Sequence, residues 1–331
     1  MMEEKLLVKQ ARRKMTGMGA ALLIYYMIMT ELVSLVMIVD GAIYALKHYM
    51  LNPHLNFEDL IDVVFLYLSG PALSNAWGYI LAILVGTGIL LIWKKPRYFK
   101  NELFRSEKKM TFGVFMQVLC VFMSVQLLFS LMQMLVEWLL NQIGLSAMVA
   151  LEMATVDTNT VSMFLYAGFL GPIAEELLFR GLLLRSAQNY GKRFAILSTA
   201  ILFGMFHGNI LQSPFAMMVG LVLAYVTVEY SIVWAIVLHI FNNFIMADMY
   251  GRLLELLPEQ IAGIVDWCVL GSFAAASVVF LIVRRKDVKT FFAENKHDSA
   301  ANRGMLTSPT ILIFLALMTI SALMTITPLG K

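Results

Sequence analysis

Long apolar stretches follow one another along almost the whole chain, and their length limits the fold more than any other feature. A helix needs about 20 apolar residues to cross the hydrocarbon core of a bilayer. Of the 331 residues, 60% are hydrophobic and only 14% are charged, far from the composition of a soluble domain. The sequence therefore predicts an all-α, polytopic transmembrane helical bundle. The predicted spans are 16–46, 76–93, 111–140, 162–184, 194–211, 214–230, 231–248, 261–283 and 309–328.

Two further features complete this layout, which has eight or nine membrane helices. The apolar stretch 60–68 is too short to cross, so we interpret it as an interfacial or re-entrant segment. The first span follows charged residues without a small-residue cleavage site, so we expect it to be retained as a helix. The chain divides into N-terminal membrane helices (1–160), a core (161–250) and C-terminal membrane helices (251–331), the last with a polar linker near 284–308.

Lysine and arginine are concentrated in alternate loops, and this distribution orients the predicted bundle. With the N-terminus in the cytoplasm, 21 of the 25 basic residues lie in inner segments, as the positive-inside rule describes. The outer segments hold only Lys47, Arg252 and Lys331. The basic residues are therefore membrane anchors, and without an aromatic-rich basic face they do not indicate nucleic-acid binding. The inner segments are 5–14, 94–109, 185–193 and 284–303.

Five ionisable residues interrupt three of the predicted spans: Glu175, Glu176, Arg180, His207 and His239. A charged group at bilayer depth costs from about 3 to more than 10 kcal/mol, and such groups persist where they pair, face a bundle interior or do chemistry. At 1.5 Å per residue, Glu175, His207 and His239 lie roughly 15 to 21 Å from the inner ends of their helices. The sequence therefore predicts one buried polar site near mid-membrane.

The motif Glu175-Glu176-Leu-Leu-Phe-Arg180 gives its two glutamates different surroundings. Arg180 follows Glu176 by four residues and lies on the same helix face, in a favourable order for an ion pair. Glu175 is turned by about 100° from Glu176. A purely structural ion pair explains Glu176 and Arg180 but leaves Glu175 without a partner. Glu175 is then a carboxylate free to act on another group.

Two histidines and an asparagine on two further predicted helices extend the candidate site. His207 closes the motif that begins at Phe203, and His239 and Asn243 are four residues apart on one helical face. Taken singly, His207 is explained as a packing or interfacial residue, and His239 and Asn243 as interhelical hydrogen-bond partners. Together the three helices supply a carboxylate, two imidazoles and a carboxamide, which are enough for hydrolysis.

The ordered motifs EExxxR, FxxxH and HxxxN, each on a separate apolar helix, resemble those of the CPBP family of intramembrane proteases. This family includes the Ras-converting-enzyme-type CAAX endopeptidases and bacterial relatives linked to bacteriocin processing and self-immunity. The flanking residues in 171–181, 203–208 and 234–243 fit as well. The resemblance spans about 162–248, roughly a quarter of the chain, and the predicted helix 309–328 is additional to the usual eight-helix core.

The resemblance implies a role for each motif residue. Glu175 would activate a water molecule for attack on a peptide carbonyl, with His207 orienting or deprotonating that water. His239 and Asn243 would stabilise the oxyanion of the tetrahedral intermediate, a contribution of about 3–4 kcal/mol per donor. Glu176 would be held by Arg180 as a structural ion pair.

The resemblance leaves two catalytic types open, because the family has been described both as zinc-dependent and as a metal-free glutamic type. Glu175, His207 and His239 match a His₂Glu ligand set for catalytic zinc. The zinc signature HExxH is absent from the sequence, as are the serine elbow GxSxG and the aspartyl element GxGD. We therefore favour a metal-free mechanism and assign no cofactor, with zinc as the alternative.

Two other classes of protein compete with the protease hypothesis. A catalytically silent membrane scaffold or bacteriocin self-immunity protein would keep the fold and need no free Glu175. A proton-coupled transporter would also use intramembrane Glu and His, but the chain shows no inverted repeat of broken helices. For a protease, the expected substrate is a peptide or membrane protein, such as a prenylated C-terminus or a bacteriocin precursor. A bacterial plasma membrane is the expected location.

Overall fold

The fold is an all-α, polytopic helical bundle, as the sequence predicts. The computed structural model describes residues 2–92, 98–154, 158–295 and 299–329. Three parts of the predicted layout lie outside the described residues. They are 93–97, at the end of the second span and the start of the inner loop, 296–298 of the linker, and Lys331.

Helices make up most of the described chain, and two of them, α6 and α9, contain π-helical segments. A separate π-helical turn spans Phe99–Leu103. A short antiparallel ribbon joins strand β1 (Leu145–Ser146) to strand β2 (Thr327–Pro328). The helices are α1 (Met2–Leu51), α2 (Phe57–Leu68), α3 (Trp77–Ile92), α4 (Phe112–Asn141), α5 (Met148–Ala154), α6 (Val161–Tyr190), α7 (Lys192–Phe206), α8 (Gln212–Glu229), α9 (Ile232–Glu255), α10 (Glu259–Val283), α11 (Arg285–Glu294), α12 (Ser299–Leu306) and α13 (Pro309–Met324).

Six helices of the described chain are long and apolar enough to cross a membrane: α1, α4, α6, α8, α9 and α10. Two bent pairs, α2 with α3 and α12 with α13, raise the number to eight if each pair counts as one span. This total meets the lower of the two predicted counts. The chain is therefore an integral membrane protein.

Helix α7 is shorter than the predicted span 194–211, because a turn ends it and immediately starts the next helix. Gly208 has a φ of +55°, the left-handed conformation that commonly follows a last helical turn. The side-chain oxygen of Asn209 accepts hydrogen bonds from two backbone N–H groups at the start of α8, both at 3.0 Å. His207 is thereby placed at the end of α7, beside a tight turn.

The short apolar stretch 60–68 lies in helix α2, which is bent by 60° from α3. Asn56 caps its first turn by accepting a hydrogen bond from a backbone N–H at 2.8 Å. A 3₁₀ turn at Pro71–Ser74 then joins α2 to α3. Tyr67 donates a hydrogen bond to Asp40 on α1 at 2.7 Å. This geometry is that of a broken span or a re-entrant segment, in line with the interpretation from the sequence.

The polar segment predicted as a linker near 284–308 is helical over most of its described residues. Helix α11 carries much of its charge, whereas α12 packs small residues against α1. Ala301 is fully buried, and a Cβ on Gly304 would lie 2.7 Å from the Cβ of Ala11. Small residues at helical spacing hold α12 in place, so the low hydropathy of the segment hides a packing surface.

The centre of the bundle is built from α6, α7, α8 and α9. Leu178, Phe203, Leu223 and Leu238, one from each helix, are at most 1% exposed. Close approach of α7 and α8 requires a glycine, because a Cβ on Gly204 of α7 would lie 2.5 Å from a backbone oxygen of α8. By contrast, only 11% of the most apolar 18-residue stretch is buried in α1, and the same fraction is buried in α10. The three motifs therefore lie on the central helices, and these outer helices face lipid.

Candidate active site

Glu175 and Glu176 lie on α6 between two π-helical segments, Tyr166–Leu170 and Leu177–Leu184. A Cβ on Gly171 would lie 2.9 Å from the carbonyl oxygen of the first residue of the first segment, so only glycine fits there. π-helical turns are wider than α-helical turns and are frequent at functional sites. The two glutamates therefore lie in a part of α6 whose backbone is not regular α-helix on either side.

Glu176 and Arg180 are completely buried and face each other. Arg180 Nε lies 3.1 Å from Glu176 Oε2, with side-chain exposures of 1% and 0%. The guanidinium also lies over the Phe203 ring, 4.1 Å from its centroid, in a cation–π contact. Its Nη2 approaches the Gly220 carbonyl oxygen at 3.5 Å, whereas neither Nε nor Nη1 makes a hydrogen bond to the described residues. Removing either charge would leave the other buried and unpaired.

His239 contacts both glutamates and is itself buried. Its Nδ1 lies 2.8 Å from Glu176 Oε1, and its Nε2 lies 3.7 Å from Glu175 Oε2. A hydrogen bond at 2.8 Å from Nδ1 to an ionised carboxylate places a proton on Nδ1, because the carboxylate can only accept. The second ring nitrogen then faces Glu175. The sequence left Glu175 without a partner, and the structure brings His239 to it.

His207 presents one ring nitrogen to the backbone and keeps the other available. Nδ1 lies 2.9 Å from the carbonyl oxygen of Phe203, which can only accept a hydrogen bond. Nδ1 therefore carries the proton, and Nε2 of the neutral ring is an acceptor. The His207 ring stands perpendicular to the Phe203 ring at 5.0 Å, and the His239 ring does so at 5.9 Å. Phe203 thus separates and orients the two imidazoles.

Glu175 is the accessible carboxylate of the cluster. Its side chain is 24% exposed, whereas that of Glu176 is 0% exposed. Glu175 also interacts electrostatically with His207. Glu175 and His207 are each partly exposed and can reach a water molecule or a substrate, which Glu176 cannot.

Asn243 lies in a π-helical segment of α9, Phe241–Tyr250, and contacts a different partner. Its Nδ2 donates to the carbonyl oxygen of Ala167 at 3.1 Å, and its Oδ1 accepts from Asn242 at 3.0 Å. Among the described residues, Asn243 makes no hydrogen bond to either glutamate. Of the four residues predicted to be catalytic, the structure therefore brings Glu175, His207 and His239 together and sets Asn243 beside the backbone of α6.

Three residues near the site were given no role from the sequence. Phe203 stands in a quoted motif, but its contact with Arg180 and both histidines depends on the packing of three helices. Asn242 and Gln126 are hydrogen-bonded to each other at 2.5 Å across α9 and α4. The available signal was an amide in each of two apolar helices, since such groups cost free energy unless they are paired.

Helix α13 lies against the turn that follows His207. Ser321 Oγ donates to the Gly208 carbonyl oxygen at 2.9 Å, and a Cβ on Gly208 would lie 2.7 Å from that Oγ. Thr325 accepts a hydrogen bond from a backbone N–H in the same turn at 3.3 Å. The predicted helix 309–328 is therefore additional to the three motif helices but supports the end of one of them.

The metal alternative has a geometric requirement that the cluster does not meet. Within the described residues, no three His, Cys, Asp or Glu side chains are grouped so that they could hold a metal ion. The set Glu175, His207 and His239 therefore does not converge as a zinc site in this arrangement. The contact of His239 Nδ1 with Glu176 is nonetheless the kind of bond that also orients metal-ligating histidines.

Residues 157–245 match the family model described as Type II CAAX prenyl endopeptidase Rce1-like. The match covers about a quarter of the chain and includes all three motifs, from Glu175 to Asn243. It confirms the family resemblance that the motifs indicate, and it supports an intramembrane endopeptidase in general terms. No curated protein and no solved structure matches the chain.

Proposed function

We propose that the chain is an intramembrane endopeptidase in which Glu175 activates the attacking water molecule. The observation that carries this proposal is the unequal treatment of two adjacent carboxylates. Glu176 is fully buried between Arg180 and His239, whereas Glu175 is partly exposed with an imidazole nitrogen 3.7 Å away. A structural cluster would need only the first arrangement. The second places a partly exposed carboxylate beside an imidazole nitrogen.

The proposed reaction begins with a water molecule that is hydrogen-bonded to Glu175 Oε2, beside His239 Nε2, which lies 3.7 Å from that oxygen. Glu175 takes one proton as the water oxygen forms a bond to the substrate's carbonyl carbon, and the neutral His207 Nε2 helps to orient the water. The carbonyl becomes a tetrahedral oxyanion. When the C–N bond breaks, the proton returns from Glu175 to the leaving amine, so that protons and bonds balance.

The oxyanion would be stabilised by the remaining N–H groups of the site. Asn243 Nδ2 has two hydrogens and uses one on Ala167, so the second is free to donate. His239 can donate from Nε2 when its ring carries both protons. Removal of one such donor typically costs 10²- to 10³-fold in kcat, or about 3–4 kcal/mol. No step of this proposal passes through a metal ion.

The substrate is proposed to be a peptide segment of a membrane-bound protein. The family model is named for prenylated substrates, so a prenylated C-terminal sequence is the first candidate, and a bacteriocin precursor is the second. Many large side chains of the outer helices are exposed and apolar, as expected for a protein surrounded by lipid. A lipid-anchored substrate would already be concentrated in that bilayer. We further propose that this is a bacterial plasma membrane.

The orientation of the bundle is proposed to be N-terminus inside. Lys108 and Lys192 both bind Glu229, at 2.6 and 2.9 Å, so two of the predicted inner loops share one side. Arg303 binds Glu4 at 2.9 Å, which brings the N-terminus and the segment before α13 together. A cysteine introduced at position 109 should react with an impermeant reagent only after the cells are permeabilised. Free labelling in intact cells would reverse the orientation.

The function is tested with wild-type protein and the Glu175→Gln variant in matched membranes. A farnesylated peptide with a CAAX C-terminus, incubated with either protein in liposomes, should lose its last three residues only with the wild type. The membrane proteomes of cells that express each protein should also differ in at least one processed protein. Identical processing in both would refute hydrolysis at Glu175 and favour the silent scaffold.

A further inference from the structure

Three carboxamides form a hydrogen-bonded chain that ends at the proposed oxyanion donor. Gln126 Nε2 on α4 donates to Asn242 Oδ1 at 2.5 Å. Asn242 Nδ2 donates to Asn243 Oδ1 at 3.0 Å, and Asn243 Nδ2 donates to the Ala167 carbonyl oxygen at 3.1 Å. This chain of hydrogen bonds therefore connects α4, α9 and α6. Gln126 lies outside the residues that match the family model.

The chain of hydrogen bonds has one direction of donation, because a backbone carbonyl can only accept a hydrogen bond. Ala167 requires an N–H from Asn243, which turns the Asn243 oxygen towards Asn242. Asn242 must then give its own N–H to Asn243 and present its oxygen to Gln126. A donor at position 126 completes this order. If that donor is absent, Asn242 loses the bond that opposes rotation of its amide.

Burial makes the order energetically significant. Asn242 is 8% exposed on a helix that crosses the membrane, where an amide without partners is costly. Chains of hydrogen bonds in a low-dielectric interior also strengthen one another. Amides in membrane helices often serve only to hold helices together. Here, however, the chain of hydrogen bonds includes Asn243, whose two amide hydrogens have different proposed partners.

We propose that Gln126 and Asn242 are positioning residues that fix the orientation of the Asn243 amide. With Oδ1 held by Asn242, the Nδ2 end of the Asn243 amide is the end that faces Ala167. One hydrogen binds Ala167 and the second is kept for the substrate oxyanion. This inference rests on the proposed function of Asn243 and assigns the orientation of that residue to a different helix, α4.

The test compares Gln126→Met with Gln133→Met on the same helix, in purified full-length protein in liposomes with the farnesylated CAAX peptide. Gln133 is also half-buried and has no hydrogen bond among the described residues. Methionine keeps the length and removes the donor. Gln126→Met should lower kcat by about 10- to 100-fold, as small misplacements of catalytic groups do. Its KM should change less than about twofold, and Gln133→Met should match wild type.

A double-variant cycle with Asn243→Ala separates positioning from simple structural support. If Gln126 acts through Asn243, adding Gln126→Met to Asn243→Ala should cause no further loss of kcat. An equal loss in both backgrounds would overturn the inference. So would a lower unfolding temperature of Gln126→Met than of Gln133→Met with unchanged kcat, the result expected for interhelical support alone.

The same cycle distinguishes failure of this inference from failure of the proposed function. Full turnover by Asn243→Ala would remove the proposed oxyanion donor, and the inference would fall with it. Slow turnover by Asn243→Ala combined with normal turnover by Gln126→Met would overturn only the positioning role. Absence of cleavage by the wild type would contradict the proposed CAAX endopeptidase activity, and the positioning role of Gln126 and Asn242 would fall with it.

Discussion

Glu176 and Glu175 are neighbours in the chain with the same side chain, yet they lie in two regions with opposite properties. The buried half of the site contains Glu176, Arg180 and His239, which are at most 7% exposed and contact one another at 2.8 to 3.1 Å. The open half contains Glu175 and His207, which are both partly exposed. Helix phase and tertiary partners, rather than residue type, therefore decide which carboxylate is buried and which is partly exposed.

The buried half also explains how the open half is held. His239 contacts Glu176 of the buried half through Nδ1 and faces Glu175 of the open half through Nε2. A residue fixed by the buried carboxylate is therefore aimed at the carboxylate that we propose to react. A carboxylate on the far side of an imidazole serves the same purpose in hydrolytic triads, where it sets tautomer and orientation. The comparison predicts that variants of the buried half lose stability first, and variants of the open half lose turnover first.

The largest expected effect is that of Glu175→Gln on turnover. Loss of the general base should lower kcat by about 10²- to 10⁴-fold. The free energy of unfolding should change by less than about 1 kcal/mol, because Glu175 is partly exposed and, among the described residues, has only His239 as an ion-pair partner. Cleavage of the farnesylated peptide and thermal unfolding in detergent measure both quantities. Glu259→Gln, at an exposed helix end, is the control, and an equal decrease in turnover there would contradict the assignment.

Glu176→Gln should affect stability more than any other single change considered. It leaves the Arg180 guanidinium buried without its carboxylate, a loss of about 3–5 kcal/mol when such pairs are broken. Denaturant or thermal unfolding in detergent measures it. The double variant Glu176→Gln with Arg180→Met should recover part of the loss, since it removes the unpaired charge. If Glu176→Gln and Glu175→Gln are equally destabilised, the division into two halves is wrong.

Gly208→Ala tests whether the open half depends on the turn that follows His207. Alanine at a φ of +55° costs about 1–2 kcal/mol, and its Cβ would also lie 2.7 Å from Ser321 Oγ. Both effects should displace the end of α7 and lower kcat as well as stability. Adding Ser321→Ala should remove the 2.7 Å contact but leave the Ser321 Cβ at 3.1 Å and the backbone strain. Gly263→Ala, where a Cβ would meet nothing within 4 Å, is the matched control, and an equal effect there would refute the dependence.

Glu229 is a second buried carboxylate, and it sharpens the comparison with Glu176. It is 3% exposed but binds two lysines at the membrane surface, and the side chain of Lys108 is 61% exposed. Lys108→Gln should therefore cost no more than about 1 kcal/mol of unfolding free energy. Lys192 would still neutralise Glu229. Lys109→Gln, at the neighbouring exposed residue, is the control. If Lys108→Gln lowered the unfolding free energy as much as Glu176→Gln, this ranking would be contradicted.

The pH dependence of the Lys108 contribution has a defined sign. The hydrogen bond with Glu229 raises the pKa of Lys108 above its ordinary value of 10.5, although burial acts in the opposite direction. A raised pKa in the folded state stabilises fully below the unfolded pKa and is lost as the pH rises through the folded pKa. The difference between wild type and Lys108→Gln should therefore be constant from about pH 6 to 9 and shrink only above that range.

The sequence predicted the parts of this arrangement that depend on local periodicity. Four-residue spacing placed Arg180 on the face of Glu176, and hydropathy placed the three motifs in apolar helices at similar depth. It could not show that His239 touches both glutamates, because that contact depends on how α9 packs on α6. Nor could it show the hydrogen bond from Ser321 to the Gly208 carbonyl oxygen, because these two residues are more than 100 positions apart.

Segment ends and polar segments were the other source of difference. The apolar pattern runs past His207, but glycine conformation at Gly208 and capping by Asn209 end α7 there. The charged segment before α13 was interpreted as a linker because hydropathy does not register packing through small residues such as Ala301. Both differences arise where backbone geometry or a small side chain, rather than apolar surface, determines the structure.

Turnover by metal-analysed protein, with and without exhaustive chelation, tests most directly whether Glu175 activates water without a metal ion. The purified chain in liposomes is given the farnesylated CAAX peptide before and after treatment with a strong chelator, beside Glu175→Gln as the inactive reference. A glutamate-activated water predicts substoichiometric metal and the same rate in both samples. Stoichiometric zinc, with turnover that is lost on chelation and restored by added zinc, would contradict it.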